Sequence, residues 1–307
     1  MHLLLKIWMV NQMKNETKSL FVSIVGKPNA GKSSIMNMLI NSKISIVSPK
    51  PQTTRSRITG ILTEGNTQLV FVDTPGIHKP FNKLSEFMIS EVDNSFSGSE
   101  LCLHVVDAEK NSVDTETIAK LKKSGARAIL ALNKVDLLKQ KNLLMAKIKE
   151  YSELYDYDEI IPVSAASGEG KEELLKELFS RAVPSVFFFP EDDITDQTER
   201  MLVCEIIREK LLYFLEKELP HGTAVQIEKF KEREDGNVNI HAVIYCERKN
   251  HKAIIVGAGG QMIKKIGIAS RKAIGEMLDC NVNLNLFVKV KEDWRNSASI
   301  LHDLGYM

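Results

Sequence analysis

Cysteine is scarce in this sequence. Only four of the 307 residues are Cys, and the closest pair, Cys246 and Cys280, stands 34 positions apart. No C-x-x-C pair occurs, which argues against a zinc knuckle or a disulfide framework. A reducing cytoplasm is the expected compartment. An excess of charge of one sign is lacking as well. Lys and Arg number 41 against 40 Asp and Glu, a net +1, so no global basic excess points to nucleic acid. Long apolar runs are missing too. A membrane-spanning helix needs about 20 apolar residues, and the opening MHLLLKIWMV is a run of half that length, interrupted by Lys6. The same stretch shows neither the basic start nor the small-residue cleavage site of a signal peptide. Residues 1–18 are therefore read as an N-terminal tail with no functional weight.

What is present is a globular composition, 43% hydrophobic and 26% charged, long enough for about two domains. Short β-branched runs alternate with amphipathic stretches through the first ~180 residues. Strands are expected at 20–25, 58–63, 67–72, 101–106, 128–132 and 160–163. Helices are expected at 32–40, 85–94, 115–123, 143–151 and 171–179. That alternation predicts an α/β domain with a mostly parallel sheet over residues 19–184, with 58–63 antiparallel at one edge. Pro184 and Pro190 bracket a run of three phenylalanines, Phe187 to Phe189, and an acidic stretch follows. Residues 185–198 are read as a linker. From 199 to 307 the order becomes α-β-β-α-α-β plus a short helix, an α+β domain opening with a long helix over 199–219.

The first strand runs into Gly26, Lys27, Pro28, Asn29, Ala30, Gly31, Lys32, Ser33 and Ser34. This is G-x-x-x-x-G-K-S in strand–loop–helix context, a phosphate cradle. Backbone N–H groups and the start of a helix converge there, and Lys32 adds a point charge for the β/γ-phosphates. Ser33 can bind Mg²⁺. Asn133, Lys134 and Asp136, on the N-K-x-D pattern, select the base. A carboxylate at Asp136 accepts from both N1–H and the 2-amino group of guanine, whereas adenine would leave it unpaired. That argument sets aside an ATP-using kinase. Ser164 and Ala165, at the end of a later strand, are expected to cover the other face of the base. Asp73, Thr74, Pro75, Gly76 and Ile77 close another strand. Asp73 is the second candidate for Mg²⁺, and the Gly76 N–H the candidate contact for the γ-phosphate. Thr54, preferred over its neighbour Thr53, is the third Mg²⁺ candidate. Lys32, Thr54, Asp73 and Gly76 form the candidate catalytic set. Ile77 stands where many such proteins place a water-orienting Gln, so slow turnover is expected, and His78 is the nearest polar alternative.

With Pro51 to Arg55 between the cradle and Asp73, and with Phe189 to Asp192, Glu205 to Lys210, Ile266 to Ile268 and Val288 to Lys291 further on, the chain resembles the Era-type GTPases. These are bacterial P-loop proteins of ribosome assembly, and the resemblance runs from about Leu20 to Tyr306. It implies a GTPase domain followed by a type II KH domain, GTP or GDP with Mg²⁺, and binding near the 3′ end of 16S rRNA. A role in maturing the small (30S) subunit is implied as well, as is partial peripheral association with the inner-membrane surface. A monomer is expected. Pro28-Asn29 is similar to cation-activated GTPases, which implies a place for K⁺. Gly257, Ala258, Gly259 and Gly260 supply a G-x-x-G turn between two helices, the KH clamp for single-stranded backbone. Residues 247–295 hold ten basic against five acidic side chains, while 191–246 hold seven against thirteen. The turn therefore lies in a basic half, with Lys264, Lys265 and Arg271 as candidate RNA contacts. Relatives usually carry Lys, Arg or Asn where Ala258 and Gly259 stand. A second reading is a nucleotide-gated RNA-binding module with negligible hydrolysis.

Overall fold

The computed structural model describes residues 16–306 apart from 49, 51, 78, 79, 98 and 139. The tail reading at 1–15 and the candidate His78 lie outside the described residues. The chain forms two compact units.

The first unit comprises the described residues up to Ile44, Arg57–Ile77 and Glu91–Asp196. Its strands are β1 (Lys18–Val25), β2 (Ile58–Glu64), β3 (Thr67–Asp73), β4 (Leu101–Asp107), β5 (Ala128–Asn133), β6 (Glu159–Pro162) and β7 (Val183–Pro184). They form one sheet in the order β2-β3-β1-β4-β5-β6, with β7 beside the start of β1. β1, β3, β4, β5 and β6 pair in parallel. β2 runs antiparallel to β3, through a turn at Gly65 with φ 59°. Thr17 and Lys18 are part of this unit rather than of a tail. The two bond Ser185 and Asn66, and Lys18 pairs with Pro184.

Buried parallel strands need apolar residues on both faces, and β1, β4 and β5 supply them. On one face lie α1 (Lys32–Ile40) and α5 (Lys171–Ser180), which bury Ile35, Leu39, Leu174 and Leu178 against Val22, Ile24 and Val105. On the other, Val92 and Phe96 of α2 (Lys83–Ser97) and Leu121 of α3 (Thr115–Ser124) pack beside Val25 and Cys102. Tyr151 of α4 (Lys141–Ser152) completes that side with Ile118 and Leu132. Parallel strands share a direction, so Gly26, Asp73, Asp107 and Asn133 all emerge at one edge of the sheet. Ligands of α/β folds bind at this carboxyl edge.

The second unit is not contiguous. It gathers the described residues of Ser45–Ser56, His78–Ser90 and Gln197–Met307. A single cut at 185–198 therefore differs from the contacts: 185–196 groups with the first unit, and two earlier segments group with the second. Burial explains the grouping. Leu84 and Met88 pack with Ala224, Trp294 and Leu301. Arg55 is 3% exposed and donates to the carbonyls of Thr223 (2.7 Å) and His221 (2.9 Å). Its guanidinium also lies over the Trp294 and Tyr306 rings.

The elements follow the expected order, with α6 (Glu199–Phe214), β8 (Thr223–Glu232), β9 (Val238–Cys246), α7 (Lys249–Val256), α8 (Gln261–Leu278), β10 (Val282–Val290) and α9 (Ala298–Asp303). β9 is central, antiparallel to β8 and parallel to β10. α6 is capped by Thr198 and ends five residues earlier than its apolar pattern suggests. Leu215 turns to an extended conformation and buries itself among Val203, Ile207 and Leu211, and a short 3-10 turn at Pro220–Gly222 then leads into β8.

Candidate functional site

The loop between β1 and α1 adopts conformations only its own residues permit. Gly26 has φ +144°, and a Cβ there would stand 2.3 Å from the Val105 carbonyl oxygen. Gly31 has φ +98°, and a Cβ would stand 2.1 Å from the Asn133 amide nitrogen. Both glycines thus serve left-handed backbone and close approach. Lys32, 6% exposed, folds back to donate to the carbonyls of Gly26 (3.1 Å) and Lys27 (3.2 Å). Burial pushes its ammonium below the usual lysine range, and Asp73 and Asp114 partly offset this. An anion received here would restore the charge's partner.

Ser33 Oγ donates to Asp73 Oδ2 at 2.6 Å, joining α1 to the end of β3. Two hard oxygens, one a carboxylate, beside a phosphate cradle are a donor set Mg²⁺ accepts in company with phosphate oxygens. Among the described residues no cluster of three or more His, Cys, Asp or Glu forms a protein-only metal cage. Ser33 and Asp73 beside the cradle fit an ion shared with the nucleotide. Thr74 Oγ1 donates to the Ile24 carbonyl (2.8 Å), and a Cβ on Gly76 would reach within 2.7 Å of Pro28. The segment after β3 is thus packed on the cradle.

Asn133 ties the base-selecting loop to both neighbours. Its amide donates to the Ala30 carbonyl (2.9 Å), and its oxygen accepts from the Ala165 N–H (3.1 Å). Lys134, at φ 66°, donates to the Asn29 carbonyl (3.0 Å) and to Asp107 (2.6 Å). Ser164 is buried, bonding Glu169 through its backbone, and Asp136 is exposed at the centre of the Val135–Leu137 turn. The structure thereby brings 26–34, 73–77, 133–136 and 164–165 to one edge of the first unit. Thr54 is buried in the second unit, within Ser45–Ser56. Ile77 is 8% exposed, in an apolar cluster with Val25 and Val92, where it orients no water. Sequence reasoning missed Asp107 and Asp114. Their signals were a carboxylate ending a buried strand and an Asp directly before a helix.

In the second unit the glycine turn joins α7 to α8. Gly257, Gly259 and Gly260 have φ of 75°, 56° and 78°. A Cβ on Gly257 would lie 2.7 Å from Met262, whereas at Gly259 and Gly260 nothing stands within 4 Å. The turn is therefore an open backbone surface leading into the N-terminus of an 18-residue helix, whose dipole favours anions. Ala258, Lys264 and Arg271 are exposed, the last two on one stripe of α8. Lys265 instead places its ammonium 4.7 Å above the Phe214 ring of α6.

Comparison with known proteins agrees with this geometry. The family model for the 50S ribosome-binding GTPases matches residues 21–134, and that for the KH domain matches 218–295. The chain is 47% identical over 291 residues to the GTPase Era of Ruminiclostridium cellulolyticum, covering 94% of this chain and 97% of that one. It is 46% identical to the Era of Clostridioides difficile, with 94% and 98% covered. Among solved structures it is similar to Era in complex with MgGDPNP and nucleotides 1506–1542 of 16S rRNA (TM-score 0.90, 35% identity, 94% and 99% covered). It is likewise similar to a point variant of Aquifex aeolicus Era bound to GDP·AlF4⁻ (TM-score 0.91, 34% identity, 94% and 99% covered). A phosphate cradle, an N-K-x-D loop beside it and a KH domain with its glycine turn stand in one chain that matches these relatives nearly end to end: it belongs to the Era family of GTPases.

Proposed function

We propose that this GTPase binds the 3′-end segment of 16S rRNA through its glycine turn and acts in maturation of the small ribosomal subunit. The reaction is GTP + H₂O → GDP + phosphate. Gly26 to Ser34 cradle the phosphates, Lys32 faces the developing charge, and the Gly76 N–H meets the γ-phosphate. Ser33 and Asp73 would hold Mg²⁺, which when bound neutralises charge on the β- and γ-phosphates. Asp136 reads guanine, with Ser164 and Ala165 beside the base. The observation carrying this assignment is the Ser33–Asp73 pair beside a cradle that Asn133 links to the base loop. The apolar burial of Ile77 supports slow intrinsic turnover. A carbonyl of Asn29 is the candidate ligand for K⁺, on the resemblance of Pro28-Asn29 to cation-activated GTPases. Equal hydrolysis rates in K⁺ and Na⁺ would remove that role.

Support for the RNA half comes from the open backbone at Gly259 and Gly260 and from the relative solved with 16S rRNA nucleotides. The protein is taken as a cytoplasmic monomer that engages 30S subunits. Among the described residues no helix is long and apolar enough to cross a membrane. Peripheral association with the inner membrane rests on the family resemblance. The test is a titration of an RNA copying the 16S 3′ end against protein loaded with a non-hydrolysable GTP analogue or with GDP. Tighter binding in the GTP state, weakening as salt rises, supports the reading. No binding in either state sinks the rRNA assignment while leaving the GTPase. Single-turnover hydrolysis with and without small subunits then separates a slow enzyme from a module with negligible hydrolysis.

A further inference from the structure

The nucleotide cradle is held from behind by a charged group outside every motif so far used. Asp114 is buried at the N-terminus of α3, where its Oδ1 accepts from the Thr117 N–H at 3.1 Å. Its Oδ2 faces three donors: the Lys27 backbone N–H (3.1 Å), the Thr117 hydroxyl (2.7 Å) and His104 Nε2 (3.3 Å). The neighbouring Val113 carbonyl accepts from Lys27 Nζ at 2.8 Å, so one short segment grips Lys27 at both ends. His104 is fully buried on β4, and its Nδ1 lies 2.7 Å from the Tyr157 hydroxyl. An ionised carboxylate only accepts, so Nε2 carries the hydrogen. Nδ1 faces the phenol of Tyr157, whose proton burial retains. Tyr157, His104, Asp114 and the Lys27 N–H thereby form one continuous hydrogen-bonded chain.

Capping α3 needs only one oxygen, and Ser would do it as well as Asp. The second oxygen, with its aligned histidine, is surplus to that task and aims at the cradle. A phosphate cradle is a bend whose N–H dipoles all point inward and repel one another, so it holds its shape only under outside restraint. Gly26 is fixed against Val105 and Ala30 against Asn133; Lys27 between them is fixed by Asp114. We propose that Asp114, oriented by the His104–Tyr157 pair, is a positioning residue for nucleotide binding, pinning the Lys27 N–H outward so that the remaining cradle amides converge on the phosphates. This inference rests on the assignment of 26–34 as the GTP site.

Electrostatics alone predicts the opposite sign, which makes the proposal sharp. A carboxylate near the phosphates repels them, so its removal without loss of a brace would tighten binding. The experiment measures release of a fluorescent GDP from the full-length protein by stopped flow, with GTP hydrolysis and melting temperature in parallel. Asp114→Ser keeps the α3 cap and loses the brace; GDP release is expected to accelerate about tenfold, and KM to rise by more than kcat falls. Asp114→Asn, with one oxygen for several donors, should fall between. Tyr157→Phe removes a single hydroxyl away from the cradle and should speed release about threefold, so a folded variant is available whatever happens at Asp114. Unchanged or slower GDP release in Asp114→Ser overturns the brace, as does a loss of kcat equal to the rise in KM. Failure of the wild-type protein to bind GDP would overturn the site assignment itself.

Discussion

At the scale of single residues, the main tension is between stability and binding. Lys32 is a buried cation hydrogen-bonded to the Gly26 and Lys27 carbonyls, and desolvation lowers its pKa more than Asp73 and Asp114 raise it. In the window between that lowered value and the ordinary lysine value, the unfolded chain holds a proton the folded one lacks. Stability of the nucleotide-free protein should therefore rise with pH there. Nucleotide raises the pKa again, so binding takes up a proton and weakens as pH climbs through the same window. Lys32→Met should raise the melting temperature of the nucleotide-free protein by a few degrees, from relief of about 1 kcal/mol, while abolishing detectable GDP binding. Calorimetry and a nucleotide titration check both halves. Asp136→Asn should move preference from guanine to xanthine, which has a carbonyl where guanine has the amino group; competition binding with XTP reads it. These residues were legible because phosphate and guanine each demand fixed types at fixed spacing. Asp114 and Asp107 were not, because the partners Lys27 and Lys134 lie far along the chain, and only the sheet order brings them together.

At the scale of elements, the turn between α7 and α8 carries the weight. Gly257 and Gly259 both have positive φ but sit in different surroundings. Gly257→Ala should cost about 1–3 kcal/mol and lower the melting temperature, because its Cβ meets Met262. Gly259→Asp should leave the fold intact, since a short polar side chain tolerates left-handed backbone and the space is open. Its charge should nonetheless weaken RNA binding tenfold or more. Ala258→Lys should do the reverse, steepening the salt dependence of RNA affinity by about 0.7 in log–log slope, one more phosphate contact on single strands. A fluorescence anisotropy titration at several salt concentrations separates the three. Element types were readable from period and β-branching; the end of α6 was not. Leu215 and Leu219 continue the apolar pattern, and the pattern cannot show that Leu215 leaves the helix to fill the core.

At the scale of the molecule, the path of the chain matters more than its domain order. Composition and the acidic break after Pro190 suggested two consecutive blocks, whereas Arg55, Leu84 and Met88 are buried with residues some 140 or more positions later. Polar segments such as Gln52 to Arg55 read as loops in a sequence because their burial depends on what arrives afterwards. Arg55→Ala would leave the Thr223 and His221 carbonyls without their donor and should destabilise the second unit by about 2–4 kcal/mol. Calorimetry should show the melting of the second unit moving to lower temperature. A variant that melts at the wild-type temperature would show that Arg55 anchors nothing. The same contact has a consequence for synthesis. The strands of the first unit's sheet end at Pro184, but Arg55 bonds the Tyr306 hydroxyl, 251 positions further along the chain. The segment carrying Thr54 thus cannot settle into its unit until Tyr306 has been made. A nascent chain stalled before that point would hold a formed phosphate cradle and an unfinished second unit.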